Sequence, residues 1–220
     1  MNFFKKHKER FFIKYRYIIL FVVMMGKLFF PSILNSNFGD GIISPILDVM
    51  LFAASMLIVQ KLKKAVIAIG VIGGIGLLIN IFGGETEVVG LLIFSLFIAI
   101  VTYELFSDLI GKKSIEFNEI MGAMDGYVLI GYIGSLMMLL IHVLYPEAFL
   151  NVGDDEKSIQ DLVYFSYVTM LTIGYGDIVP VSPAARSMVV VLGLIGQFYL
   201  VVVIATFVGK FLMGEQRKED

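Results

Sequence analysis

The sequence predicts an all-α membrane protein with six transmembrane helices and one shorter re-entrant helix. Its composition favours this class, because 58% of the 220 residues are hydrophobic and 16% are charged, whereas soluble domains are about 45–50% apolar and about 25% charged. The second observation is a series of apolar stretches close to the roughly 20 residues that a helix needs to cross a bilayer. The third is that basic residues cluster between these stretches on alternate sides.

Six apolar stretches each predict a transmembrane helix, and a seventh is shorter. The six run over 17–34, 43–60, 65–83, 88–110, 119–145 and 186–212. The seventh, at 159–171, is too short to cross and is typical of a re-entrant segment. No small-residue cleavage site follows the first stretch, so we interpret it as an anchor and not as a signal peptide.

The positions of the basic residues predict the orientation. With the N-terminus in the cytoplasm, 14 of the 17 lysine and arginine residues fall on the cytoplasmic side, which is the positive-inside pattern. We therefore expect a multi-pass protein of the cell membrane (plasma or inner) with both termini in the cytoplasm.

A polar stretch at Gly111–Ser114 predicts a linker between two modules. The expected organisation is a basic N-terminus at 1–16, a four-helix module at 17–115, a second module at 116–213 and a short cytoplasmic tail at 214–220.

The short apolar run predicts a helix directed into the membrane. Ser158, followed three residues later by Asp161, is typical of a capping box that begins a helix, which we expect to end near Leu171. The partial negative charge of its C-terminus would favour a cation at the membrane centre.

The residues after this helix, Thr172–Asp177, which we call the filter segment, carry the main chemical signal. A potassium ion that loses its water needs replacement oxygens, and a row of backbone carbonyls supplies them. Carbonyls that face one axis need unusual backbone angles at alternate positions, which Gly174 and Gly176 permit. Ile173 and Tyr175 would point away from the axis and pack behind it. Potassium is expected at Thr172, Ile173, Gly174 and Tyr175, with Gly176 completing the row.

Residues 119–213 resemble the pore domain of the pore-loop potassium channel family, on the pattern Thr-Met-x-Thr-x-Gly-Tyr-Gly-Asp between two spans. The resemblance implies a homotetramer in the lipid bilayer, because this chain supplies one filter and the family's pore needs four. It also implies that Arg186 opens the inner helix and that Gly196 is its gating hinge. The positions that it assigns to the cavity or inner gate are Gln197, Leu200, Ile204 and Ala205.

The sequence departs from this family behind the filter. Tyr164 and Phe165 stand where the family has two tryptophans, and Phe165 cannot donate the hydrogen bond that the second tryptophan gives to the acid at Asp177. Leu171 replaces a common threonine. We call these four residues the filter-support positions. The departures from the family among them predict altered filter stability and inactivation more than altered selectivity.

Six spans with the pore last also resemble the layout of voltage-gated channels, but the fourth span lacks their gating charges. No lysine or arginine lies between Val88 and Ile110. Each gating charge supplies about 2.3 kcal/mol per 100 mV, so we expect little voltage dependence.

Several ionisable residues fall within the predicted spans. Lys27 and Asp48 lie at similar depth, and a structural pair or a snorkelling lysine is favoured over a sensor charge. Three acids lie near the inner face, Glu104, Asp108 and Asp125. For these acids, pairing with Lys112 and Lys113 or interfacial solvation is favoured over pH sensing. His142, near the outer end of span five, is likewise not favoured as a pH sensor.

The function that these observations favour is a passive potassium-selective channel with no cofactor, K⁺ being the permeant ion. A weakly selective cation channel and a non-conducting regulatory subunit remain alternatives. The net charge of −2 does not favour nucleic-acid binding. We find no nucleophile–base pair, metal cluster or P-loop in the sequence, so neither an enzyme nor a small-molecule substrate is expected.

Overall fold

The computed structural model describes residues 14–33, 43–81, 87–110, 112, 115–153 and 156–219. These residues are mostly helical, which confirms the prediction of a largely α-helical protein. The helices are α1 (Arg16–Ile33), α2 (Ser44–Ser55), α3 (Lys63–Ile81), α4 (Glu87–Ile110), α5 (Phe117–Leu144), α6 (Glu156–Met170), α7 (Pro183–Phe198) and α8 (Ala205–Glu219). A π-helical segment, Tyr199–Ile204, joins the last two. A 3₁₀ turn (Pro146–Ala148) precedes β1 (Phe149–Leu150), and β2 (Val179–Pro180) follows the filter segment.

Three helical stretches in the described part of the chain are long and apolar enough to cross a membrane. They are Val89–Ile110, Phe117–Leu144 and Pro183–Gly214. The other predicted spans also contain helices, α1, α2 and α3. The chain therefore has membrane-capable helices, and the count of six crossings stays a prediction.

The helix in the second predicted span is shorter than expected. Helix α2 has 12 residues, about 18 Å at about 1.5 Å per residue, against the predicted 43–60. The Ser55 hydroxyl donates to the Leu51 carbonyl at 2.7 Å, a bond that competes with helix continuation. The backbone N–H groups of Gln60 and Leu62 then donate to the Glu104 carboxylate at 3.2 and 3.1 Å. The chain turns here because that carboxylate replaces the helical acceptors.

The contacts divide the chain into two compact units. One comprises the described parts of Met1–Val66, Val101–Gly126 and Ile204–Asp220. Within it, α1 packs against α2, and Tyr17, Leu20 and Met24 are fully buried. The predicted linker at Gly111–Ser114 lies outside the described residues except for Lys112, and the proposed division into modules stays a prediction.

The second unit comprises the described parts of Ile67–Ile100 and Tyr127–Val203 and contains the filter segment. Its hydrophobic core joins α5, α6 and α7, with Met138, Leu162 and Leu192 at most 2% exposed. β1 pairs with β2 in antiparallel register, Phe149 opposite Pro180 and Leu150 opposite Val179. This ladder ties the chain before α6 to the chain after the filter segment.

Helix α6 does not begin as the sequence predicted. It starts at Glu156, so Ser158 lies inside its first turn and is not the N-cap. The Asp161 carboxylate accepts the backbone N–H of Gly153 at 2.8 Å. The predicted capping box was wrong because this acid binds the segment before the helix.

The helix of the last predicted span, α7, begins earlier than predicted, and the chain changes geometry part-way along that span. The Ser182 hydroxyl accepts the N–H of Ala185 at 3.1 Å and Pro183 occupies the first turn, an ordinary helix start. Arg186 lies in that first turn and donates to the Pro180 carbonyl at 3.2 Å. The predicted continuous helix over 186–212 instead passes through the π-helical segment.

Candidate functional site

The filter segment has an alternating backbone conformation. Thr172, Gly174 and Gly176 have φ of 56°, 60° and 77°, while Ile173 and Tyr175 between them keep negative φ. The two glycines adopt this region without a Cβ clash, in agreement with the sequence-based expectation. Thr172 was not expected to share it, since a β-branched residue with positive φ is an outlier.

The end of α6 explains how Thr172 is held. The Thr172 N–H donates to the Thr169 carbonyl at 3.0 Å and the Ile173 N–H donates to the Val168 carbonyl at 2.9 Å. Together these bonds form a Schellman motif, in which the residue after the helix end takes the left-handed conformation. The first residue of the filter segment is therefore also the residue that caps α6.

The next carbonyl of the same turn belongs to Met170, a fully buried residue. Its oxygen accepts the Tyr127 hydroxyl of α5 at 3.3 Å and the Gln197 amide nitrogen of α7 at 3.4 Å. The base of the filter segment is thus in contact with both helices that flank it.

At the other end of the filter segment, Asp177 receives three hydrogen bonds. The Tyr164 hydroxyl donates to its carboxylate at 2.6 Å, and so does the Ile178 N–H at 3.1 Å. The Asn151 side chain donates to its backbone carbonyl at 2.7 Å. The hydrogen bond from Tyr164 lowers the pKa of Asp177. The same bond, to an anionic acceptor, raises the pKa of Tyr164 to about 12.

This geometry corrects the expectation for the residues behind the filter. A hydrogen-bond donor to Asp177 is present, but it is Tyr164 and not residue 165. Phe165 is 6% exposed and packs against Phe149 with ring centroids 5.9 Å apart. The signal that could have predicted this was the tyrosine hydroxyl one position earlier on α6.

In the single chain, the filter segment is exposed. All residues from Leu171 to Asp177 are exposed, with Tyr175 at 72% and Ile173 at 44%. Ile173 and Tyr175 were expected to pack behind the filter, and residues of their own chain do not cover these side chains.

Two of the predicted gating residues, Gly196 and Gln197, lie on α7 and contact Met170 at the end of α6. A Cβ on Gly196 would sit 2.8 Å from the Met170 side chain and 3.3 Å from its carbonyl oxygen, so this glycine permits close packing. Gln197 contacts the same carbonyl. The chain is α-helical at Gly196, and its role as a hinge stays a prediction. The other predicted positions lie in or directly after the π-helical segment: Leu200, Ile204 and Ala205.

The charged residues of the predicted spans are mostly engaged within the first unit. Lys27 forms an ion pair with Asp48, as the structural-pair interpretation expected. Asp108 binds Arg16 and the Tyr17 hydroxyl, whereas the sequence favoured interfacial solvation or pairing with Lys112 and Lys113 for this acid.

The remaining ionisable residues have different environments. Glu104 is 3% exposed and accepts backbone N–H groups before α3, while Lys112 binds Glu119 at 3.0 Å and Lys113 lies outside the described residues. Asp125 is fully buried. Neither its carboxylate oxygens nor Nδ1 of His142 has a hydrogen-bond partner in the described ranges.

Comparison with known proteins matches the part of the chain that holds this site. Residues 127–213 match a family model described as ion channel. The inward rectifier potassium channel Kirbac3.1 of Paramagnetospirillum magnetotacticum is 32% identical over 80 residues, 34% of this chain and 27% of that protein. The voltage-gated potassium channel Kch of Escherichia coli (strain K12) is 44% identical over 54 residues, 24% of this chain and 13% of that protein.

A third relative, two pore potassium channel c of Oryza sativa subsp. japonica, is 37% identical over 60 residues, 27% of this chain and 13% of that protein. The chain thus spans about a quarter or less of the length of the curated relatives that it matches. No solved structure matches the chain.

Proposed function

We propose that this chain is a subunit of a potassium-selective channel and that Thr172–Asp177 is its selectivity filter. The observation that carries the proposal is the alternation of positive and negative φ from Thr172 to Gly176. This alternation is the backbone pattern required for successive carbonyls to share one direction and replace the water around a cation. The match of residues 127–213 to the ion channel family and the three potassium channel relatives support it.

The helix before the filter favours the same ion. Helix α6 ends at Met170, two residues before Thr172, and a helix C-terminus carries about half a negative elementary charge. A cation at the inner end of the filter would therefore be stabilised by the helix as well as by the filter carbonyls.

The proposed assembly is a homotetramer in the lipid bilayer. One chain supplies one row of filter carbonyls, whereas a closed ion-coordination site needs several rows around an axis. The exposure of Ile173 and Tyr175 in the single chain supports burial of these side chains against neighbouring copies. Irregular backbone is tolerated at membrane depth only where it is buried or lines water, a condition that such an assembly would meet.

The direct test is ion flux into vesicles that contain the purified chain. We expect potassium flux that barium blocks and sodium flux that is at least about tenfold lower, since carbonyl coordination selects between the two ions. Equal fluxes would favour a weakly selective cation channel, and absence of both would favour a non-conducting subunit.

A matched pair of glycine variants links this flux to the filter. Gly174→Ala places a Cβ on a residue with φ of 60°, which is strained for any other residue, so we expect potassium flux to fall at least about tenfold. Gly90→Ala is the control, because its Cβ meets nothing within 4 Å. Equal flux from the two variants would contradict the assignment of the filter.

A further inference from the structure

The last turn of α6 leaves one buried carbonyl that its own cap does not satisfy. A helix end has four carbonyls without helical partners, and the Schellman motif supplies donors for those of Val168 and Thr169. For Met170 the donors come from other helices, as the Tyr127 hydroxyl at 3.3 Å and the Gln197 amide at 3.4 Å. Because Met170 is fully buried, losing both donors would leave an acceptor that water does not reach.

The inner helix approaches this carbonyl closely enough for Gln197 to bind it. Gly196 makes the approach possible, since any Cβ there would be 2.8 Å from the Met170 side chain. The neighbouring Tyr199, the first residue of the π-helical segment and 5% exposed, packs on the Tyr127 ring with centroids 5.8 Å apart. Helix α7 therefore reaches the Met170 carbonyl through Gln197, and the first residue of the π-helical segment contacts the second donor, Tyr127.

We propose that Tyr127 and Gln197 are positioning residues that fix the inner end of the selectivity filter by sharing the Met170 carbonyl. This inference rests on the proposed function. Met170 lies two residues before Thr172, whose left-handed conformation is held by the same helix end. If the Met170 carbonyl loses both donors, the last turn of α6 shifts and moves Thr172. The first potassium site then loses its geometry.

The sharing of one acceptor predicts a specific pattern in the variants. Tyr127→Phe and Gln197→Met each remove one donor while keeping the approximate shape of the side chain. With one donor left, the Met170 carbonyl keeps one of its two hydrogen bonds. We therefore expect each single variant to have only a small effect and to lower the potassium-to-sodium flux ratio about twofold. The double variant leaves the acceptor unsatisfied and should lower the ratio about tenfold or more, beyond the product of the single effects.

The measurement is the flux ratio in vesicles, with total potassium flux normalised to the amount of assembled protein. A purely structural role would reduce total flux without changing the ratio. Tyr103→Phe is the matched control, because Tyr103 is 60% exposed, and its ratio should equal that of the unmodified chain.

The outcomes separate this inference from the proposed function. If the unmodified chain carries no selective potassium flux, the proposed function fails. If the unmodified chain is selective and the double variant keeps its ratio, the positioning role is wrong. Should the double variant not assemble, the single variants decide: ratios equal to that of Tyr103→Phe overturn the inference, and a twofold fall in both supports it.

Discussion

Asp177 connects three parts of the chain at the C-terminal end of the filter segment. Its carboxylate accepts from Tyr164 on α6 and from Ile178 after the filter, and its carbonyl accepts from Asn151 beside β1. Asn151 itself has φ of 63°, a conformation that asparagine tolerates better than most residues. The position of Asp177 is therefore set from both sides of the filter segment, and its carboxylate is held as an anion.

The Tyr164–Asp177 bond should give potassium flux a defined dependence on external pH. Because this bond lowers the pKa of Asp177, its stabilisation is fully present above the ordinary pKa of an aspartate. It is lost only as the pH falls through the lowered value. In Tyr164→Phe we expect the acidic decline of flux to shift upward, towards the ordinary pKa of an aspartate.

Flux into vesicles as a function of external pH measures this shift. Tyr103→Phe serves again as a control, because its exposed ring is not part of the site. Identical acidic midpoints in Tyr164→Phe and the unmodified chain would show that the hydroxyl does not stabilise the charged carboxylate.

At the scale of elements, α5 is the helix on which α6 is fixed. The Tyr167 hydroxyl donates to the Val128 carbonyl at 2.8 Å and the Ser166 hydroxyl donates to the Gly131 carbonyl at 2.7 Å. The close approach depends on Gly131, where a Cβ would lie 2.3 Å from the Tyr167 ring. The hydrogen bonds and the missing side chain together set the depth of α6 against α5.

Gly131→Ala should therefore destabilise the protein. The Tyr167 ring has to move, and overpacking of this kind costs about 1–3 kcal/mol, in addition to any loss of the bond to Val128. The measurement is the thermal unfolding temperature of the solubilised protein. Gly90→Ala, which has open space around its Cβ, should be neutral or slightly stabilising. The prediction is wrong if both variants unfold at the same temperature.

The first helices show why apolar length alone did not define α2. Glu104 on α4 accepts the N–H groups of Gln60, Lys61 and Leu62 just before α3 begins. These donors lie in the turn that precedes the helix, where no helical carbonyl accepts them, so the Glu104 carboxylate satisfies them. The turn between α2 and α3 follows from this contact, which hydropathy does not register.

At the scale of the whole molecule, the distribution of charge bears on gating. No basic residue lies between Val88 and Ile110, and two basic residues of the first unit are paired, Lys27 with Asp48 and Arg16 with Asp108. A charge that responds to voltage has to move through the membrane field, and a paired, partly buried charge resists such movement.

We therefore expect conductance to change less than about twofold over about 100 mV in either direction. A single charge that crosses the field would contribute about 2.3 kcal/mol per 100 mV, which is a much larger change. Currents through the chain in planar bilayers, with equal potassium on both sides, measure this directly. A steep sigmoidal dependence of conductance on voltage would refute the expectation.

The sequence by itself determined the features that depend on local chemistry. Apolar length predicted the helices to within a few residues at most boundaries, because burial in a bilayer requires continuous apolar helix. Gly174 and Gly176 predicted positive φ in the filter segment, because only glycine takes that conformation without a steric cost. The lack of lysine and arginine between Val88 and Ile110 is likewise a property of the sequence alone.

Only the tertiary structure decided which groups meet. Tyr164 and Asp177 are 13 residues apart, Tyr127 and Met170 are 43 apart, and Arg16 and Asp108 are 92 apart. Each pair contains common residue types, so spacing gave no reason to choose one donor over another. The choice depends on how α5, α6 and α7 pack in one unit and α1 and α4 in the other, since a hydrogen bond forms only where packing brings donor and acceptor close together.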